Sequence, residues 1–324
     1  MEIRGIIKKI TFLKVVNFIQ AYTGFILSRI IKKPLVFGYP PFLSIELTNC
    51  CNLNCRHCPT GLKQLNRPNG YIDDVLFKKI INECSKYTSY LNLYFQGESF
   101  LHPKIFEFIN YANQNNIYLC ISTNGHFLSE KNCFALIKSG LDKIIISLDG
   151  ITEDTYLKYR KSGDINKVIK GIRNLVNTKQ KLKLLKPYIE IQFIVFKHNE
   201  HEIDNFKKFT KKLNINKSSI KSAQIINRES DIKPPKNVKY SRYINKNGNL
   251  KRKNTKKICW RLWSNPVITW EGDLVPCCFD KHANFILGNL KKHNLLEIWR
   301  NNNSKFFKYK YLKNDRVSIC ENCI

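Results

Sequence analysis

Between Pro41 and Ile225 the chain alternates short β-branched runs with stretches whose apolar positions recur at helical spacing. The runs Phe42 to Leu47, Tyr90 to Phe95, Ile117 to Ser122, Lys143 to Leu148, Ile189 to Phe196 and Ile220 to Ile225 predict strands. Asp73 to Tyr87, Lys104 to Asn113, Ser129 to Ser139, Asn166 to Asn177 and Glu200 to Leu213 predict the helices between them. Repeated strand-then-helix order implies a parallel sheet with helices outside it, either open or curved into a partial barrel. Sites in such folds gather at the C-terminal ends of the strands.

The flanks read differently. Residues 1–40 mix Ile3, Ile6, Ile7, Ile10, Leu13, Phe18, Phe25, Ile26 and Ile30 with Arg4, Lys8, Lys9, Lys14, Arg29, Lys32 and Lys33, which predicts an amphipathic helical segment. Its longest uncharged run, Val15 to Ser28, is shorter than the roughly 20 residues that span a bilayer and contains Asn17 and Gln20. Packing against the following domain is the expected role, with peripheral membrane contact through residues 1–33 as the alternative. After the barrel portion, 41–227, residues 228–257 hold Pro234, Pro235 and many Lys and Asn, and predict a basic linker. Residues 258–324 carry five of the twelve cysteines and predict a small cysteine-rich domain whose core needs metal.

Composition narrows the class. With 324 residues, 43% hydrophobic and 12% aromatic, the chain is neither disordered nor collagen-like and can bury a core. Lys plus Arg is 55 against 25 for Asp plus Glu, a net charge of +30, which favours anionic partners. The excess is mostly Lys spread along the whole chain beside abundant Asn and Ile, so A+T-rich codon usage accounts for much of it. Twelve cysteines in a short secreted chain would mean disulfides; in a long chain without a small-residue cleavage site they point to a reducing cytosol and to metal binding.

Directly after the first strand stands Cys51-Asn-Leu-Asn-Cys55-Arg-His-Cys58. Three thiolates on one loop leave a metal site one ligand short. A structural zinc site closes with four ligands, and His57 is awkwardly placed beside Cys58 to be the fourth. An iron–sulfur cubane tolerates an iron without a protein ligand and can use it for chemistry.

The triplet and its setting resemble the radical S-adenosylmethionine (SAM) superfamily, in which it follows the first strand of a partial (β/α)6 TIM-like barrel and His57 fills the ring-bearing position. The resemblance implies a 4Fe–4S cluster on Cys51, Cys55 and Cys58 with SAM bound beside it. It implies SAM contacts at further strand ends: Gly97 and Glu98 in Tyr94-Phe-Gln-Gly-Glu, where Gln96 replaces the family's first Gly, then Asn124 in Ser122-Thr-Asn-Gly, and Ser147 and Asp149 in Ser147-Leu-Asp-Gly. Taken alone, the Asn-Gly and Asp-Gly pairs would be ordinary turns. Arg160 is the candidate to neutralise the SAM carboxylate. Asn199 is a weaker candidate, and His198 and His201 read as surface residues.

Cys259, Cys277, Cys320 and Cys323 supply four more thiolates, with Cys278 an alternative to Cys277. Two close C-x-x-C knuckles would indicate a zinc ribbon, but here the first pair is split by a long turn. Cys259 through Gly272 to Cys277, a helix near Leu295 to Trp299 and the closing cysteines resemble the SPASM and twitch domains, which implies a second, auxiliary 4Fe–4S cluster. Cys50, Cys84, Cys120 and Cys133 read as small buried hydrophobes. The resemblance implies an oxidoreductase or maturase that cleaves SAM to a 5′-deoxyadenosyl radical, takes hydrogen from a peptide or a sugar or polyol, and draws electrons from a flavodoxin or ferredoxin. No side chain is assignable as catalytic base. RNA modification is the alternative that the charge favours, yet no RNA-binding module is recognisable, so nucleic acid is not the expected partner. A non-catalytic iron–sulfur electron-transfer protein is the other. The first 40 residues are too few for a peptide-recognition winged helix.

Overall fold

The computed structural model describes residues 2–226, 230–246, 249–253, 259–313, 315 and 317–321. Helices α1 (Glu2–Ile7) and α2 (Phe12–Ile31) come first, separated where the Thr11 side chain accepts the Lys14 N–H and caps α2. Strand β1 (Phe42–Ile45) leads to α3 (Asp74–Cys84), which begins at Asp73 because its carboxylate accepts the Leu76 N–H at 2.8 Å. Then follow β2 (Tyr90–Asn92), α4 (Ile105–Gln114), β3 (Tyr118–Thr123) and α5 (Glu130–Lys138), the last capped by Ser129. Next come β4 (Lys143–Ser147), α6 (Glu153–Tyr159), α7 (Ile165–Lys181), β5 (Tyr188–Val195), α8 (Ile203–Lys212) and β6 (Lys217–Ser222). Strands β7 (Tyr243–Lys246) and β8 (Asn249–Arg252) form a hairpin ladder. The tail contains α9 (Arg261–Ser264), β9 (Val267–Ile268), β10 (Asp273–Val275), β11 (Gly288–Asn289), α10 (Leu295–Arg300), α11 (Asn302–Leu312) and α12 (Ser318–Glu321).

The chain forms two compact units. One holds the chain up to Cys50, residues 66–120 and the tail after 255; the other holds residues 51–65 and 121–255. In the first, the strand order is β11-β10-β9-β1-β2-β3, with β9, β1, β2 and β3 parallel and the β10 and β11 pairings antiparallel. The tail therefore supplies sheet: Ser44 and Ile45 of β1 pair with Val267 and Ile268. In the second unit β4, β5 and β6 run parallel. Strands with both faces covered are mostly apolar, and Ile144, Ile146, Ile189, Ile191 and Phe193 are buried accordingly, while the buried charges Lys143 and Glu190 pair with each other at 2.8 Å.

Three expectations from the sequence are corrected. The last barrel strand lies at Lys217–Ser222, ahead of the apolar run Ile220 to Ile225. It ends its sheet and pairs on one side only, so it needs little apolar side chain: Ser219 is its buried residue and Ile220 is half-buried, while Ala223 and Ile225 leave the ladder to pack with Leu53 and Cys55. The segment expected to be linker contains, in its described part, the β7–β8 hairpin and the buried Ile232 and Tyr243, whose hydroxyl accepts the Ile225 N–H at 3.0 Å.

The third correction concerns α2. It packs on its own unit, as expected, but through its polar and small face: Lys14, Asn17, Ala21, Gly24, Phe25 and Ser28 are the buried positions. Lys14 donates to the carbonyls of Lys9 and Asn116, and Asn17 donates to those of Tyr39 and Tyr87 while accepting the Tyr39 N–H. Lys9 is buried as well and donates to Asn113 and to the Ile117 carbonyl. These side chains satisfy loop carbonyls that no ladder reaches, which is why polar residues occupy the inner face. Phe18, Tyr22 and Phe25 make ring contacts with Trp260 beside Cys259. No helix among the described residues is long and apolar enough to cross a membrane.

Candidate functional site

In the second unit, the cysteine loop is fastened at each step between its thiols. Asn54 N–H donates to the Lys161 carbonyl at 3.0 Å and Arg56 N–H to the Tyr159 carbonyl at 3.3 Å. His57 bonds through Nε2 to the Ile232 carbonyl at 2.9 Å, and its ring stacks on Phe196 at 5.7 Å. Arg56 pairs with Asp231 at 2.6 Å. The loop thus rests on the segment after β6 through contacts that do not use the sulfurs, while within the loop the Leu53 N–H donates to Cys51 Sγ at 3.5 Å.

Cys55 is buried, and burial pushes its thiol up to about 12, partly offset by the Arg160 guanidinium, whose Nη1 lies 3.9 Å from Sγ. A thiol so placed ionises when a metal takes its proton's place. Arg160 is not a solvated helix residue: its Nε and Nη2 bond to Asp149 Oδ2 at 2.7 and 2.6 Å. Asp149 is fully buried, and its other oxygen accepts the Ile194 N–H at 2.6 Å. Asn199, also buried, donates to the Asp149 and Ile194 carbonyls and accepts the Phe196 N–H, so it holds the end of β5.

Asn124 donates to Asn52 Oδ1 on the cysteine loop at 2.8 Å, and His126 Nδ1 lies 2.9 Å from its carbonyl oxygen Oδ1. Ser147 ends β4 in register with Gln192. The second unit therefore gathers the triplet with Asn124, Asp149, Arg160 and His57. His198, expected at the surface, is half-buried with its ring on Phe196 at 5.6 Å, and burial pushes it down to about 4. His201 is exposed. Asn52, Gly61, Asp231 and Ile232 support the loop without any sequence motif to announce them; the buried Ile232 in a lysine-rich stretch is the nearest thing to a signal.

In the first unit, Gly97 and Glu98 follow β2. Glu98 N–H donates to the Cys50 carbonyl at 2.8 Å, and its carboxylate caps the next turn at Phe100 N–H. Gly97 has φ +77°, and a Cβ there would sit 2.5 Å from the Thr48 carbonyl oxygen. Behind them Glu46 takes a bidentate pair from Arg67 and the N–H groups of Gln96 and Trp270. Cys84, Cys120 and Cys133 are buried, as small hydrophobes are, while Cys50 is half-buried.

Of the tail cysteines, Cys259 and Cys320 share Tyr311 as a neighbour: burial pushes its hydroxyl up, and both sulfurs add to the shift. Cys277 is buried just after β10, and Cys278 Sγ accepts from Arg261 at 2.9 Å. Cys323 lies outside the described residues. Among the described residues no three His, Cys, Asp or Glu side chains converge on the position of one ion. The donor chemistry of the triplet fits a larger sulfur-ligated group: three thiols on one braced loop, one of them beside a buried cation.

Gly61 tests this fit. Its Cβ position lies 2.5 Å from the Cys55 nitrogen and 2.7 Å from the Cys55 oxygen, so Gly61→Ala must displace that peptide. The variant is expected to stay folded while its iron after reconstitution falls from about eight toward about four per chain. Wild-type iron content would show that the loop yields without losing its ligands.

A thiol loop after β1, followed by polar groups at successive strand ends, defines an α/β protein built around a sulfur-ligated cofactor. The radical SAM superfamily profile matches residues 45–210, and the chain belongs to that superfamily. The SPASM iron–sulfur cluster-binding domain matches residues 259–324. The first domain binds a 4Fe–4S cluster and SAM, and the second binds further iron–sulfur. The tungsten-containing aldehyde ferredoxin oxidoreductase cofactor-modifying protein of Pyrococcus furiosus is 24% identical over 87% of this chain and 86% of its own. Streptococcus suis SuiB bound to precursor peptide SuiA aligns with TM-score 0.65 and 14% identity, covering 89% of this chain and 72% of that one. BtrN in complex with AdoMet and 2-DOIA aligns with TM-score 0.55 and 17% identity, covering 87% and 92%. These structural likenesses establish the fold, a mostly parallel α/β sheet of the partial (β/α)6 barrel type.

Proposed function

We propose that this chain is a maturase-type radical SAM enzyme in which Cys51, Cys55 and Cys58 hold the SAM-binding cluster and the tail cysteines an auxiliary one. The observation that carries the reading is Arg160, which joins the Cys55 sulfur to buried Asp149 and so places fixed positive charge beside the thiolates. Bound there, a 4Fe–4S cluster with SAM supplies one-electron reductive cleavage to methionine and a 5′-deoxyadenosyl radical that takes hydrogen from substrate. Asn124, tied to Asn52, offers polar atoms beside the loop, and Ser147 does so from the end of β4. Gly97 brings backbone without a side chain to the end of β2, where Glu98 is held by Cys50. Within the second unit, Asn124, Ser147 and Arg160 are the groups that would orient the ligand beside the thiols.

For the substrate we favour a peptide or the cofactor-bearing part of a partner over a free sugar. Support comes from the relative named for cofactor modification, which matches along most of its length, and from the neighbour bound to a precursor peptide. Cys259, Cys277, Cys320 and Cys323 would hold the auxiliary cluster, which would supply an acceptor for the substrate electron in a net oxidation, and a flavodoxin or ferredoxin is the proposed electron donor. A reducing cytoplasm is the compartment we propose, since thiols meant for metal ligation persist there. The test is anaerobic reconstitution followed by dithionite and SAM: 5′-deoxyadenosine and methionine are expected without substrate. Protein holding about eight irons that yields neither would overturn the reading.

A further inference from the structure

The face of α2 that turns away from its unit is apolar. Phe12, Ile19 and Ile30 recur at helical spacing and are 80%, 57% and 69% exposed, with Val15, Tyr22 and Leu27 also exposed beside them. Ile3 and Ile7 of α1 are exposed too, at 72% and 60%. The inner face is already filled by Lys14, Asn17 and Ser28 and their carbonyl partners. Turning the helix to hide its apolar side would strip those carbonyls of their donors, so the outward face is built in rather than left over.

Charge selects what covers it. Arg4 and Lys8 flank the apolar residues at one end, and Arg29, Lys32 and Lys33 at the other. No Asp or Glu occurs from Ile3 to Ile45, although the chain has 25 of them. An apolar stripe flanked by cations and free of carboxylates is complementary to an anionic lipid surface, where the apolar side chains enter the acyl boundary and the cations meet phosphate. A groove on a protein would match the stripe but gives no reason for the missing carboxylates. A 20-residue helix laid in the plane offers about 30 Å of such contact. We propose that α1 and α2 hold this enzyme on the surface of an anionic membrane, lying in the interface without crossing it.

The experiment is co-sedimentation of the full reconstituted protein with phosphatidylcholine vesicles, with and without phosphatidylserine. Binding is expected only with the anionic lipid, weakening with salt yet persisting in part because apolar insertion is not screened. The variant Phe12→Glu, Ile19→Glu, Ile30→Glu should bind at least about tenfold more weakly while keeping its far-UV circular dichroism and its SAM cleavage. Lys32→Glu with Lys33→Glu should also weaken binding. Absence of wild-type binding, or binding that the apolar triple variant retains in full, overturns the proposal, the latter by assigning attraction to the chain's overall charge. So does a wild-type dimer, without lipid, that the triple variant converts to monomer, since a second copy would then cover the face.

Discussion

Replacing Cys51, Cys55 and Cys58 together by Ala is expected to abolish SAM cleavage and to lower iron from about eight to about four per chain, with the remaining absorbance indifferent to SAM. The effect is large because it removes every thiol of the loop while leaving its braces. The bonds from Asn54, Arg56 and His57 to Lys161, Tyr159 and Ile232 involve no sulfur, so the loop keeps its course and the rest of the chain its fold. The remaining iron would report on the proposed auxiliary set, Cys259, Cys277, Cys320 and Cys323, which as four thiolates would leave no iron open for SAM. The converse variant, Cys320→Ala with Cys323→Ala, should keep SAM cleavage but lose substrate oxidation and loosen the tail. Zinc in the triple variant would sink the assignment of the auxiliary cluster, and SAM cleavage at the wild-type rate that of the SAM-binding cluster.

Asp149→Ala is expected to cost about 3 to 5 kcal/mol of stability, read as a lower midpoint in urea. Asp149 is fully buried and answers two neighbours at once, the Arg160 guanidinium and the Ile194 N–H. Removing the carboxylate leaves a cation and an amide donor in a dry interior, and neither has water to turn to. The pair variant Asp149→Leu, Arg160→Met should recover most of the loss, since a buried ion pair replaced by apolar groups of similar volume is close to neutral. It should still fail to cleave SAM, because the cation beside Cys55 is gone. A stability change below about 1 kcal/mol in the single variant would show that water reaches the pair and that Asp149 does not hold Arg160.

What the sequence determined is local. Apolar runs and their period placed β4 and β5 close to their bounds, because strands covered on both faces are mostly apolar whatever surrounds them. Asp73 and Ser129 marked two helix starts, since a cap acts on its own backbone three residues on. The cysteine triplet was legible because its spacing alone puts three thiols on one short loop. What tertiary structure decided depends on partners far along the chain. Ile232 in a lysine-rich stretch became the anchor of His57, and Val267 and Ile268 joined β1, through pairings that no local pattern encodes. Helix α2 carries the same amphipathic signal whichever face turns inward. Carbonyls of Tyr39, Tyr87 and Asn116, waiting for donors, drew Asn17 and Lys14 in and left the apolar side out. An unpaired buried carbonyl costs more than an exposed isoleucine, and only the folded chain brings the two into competition.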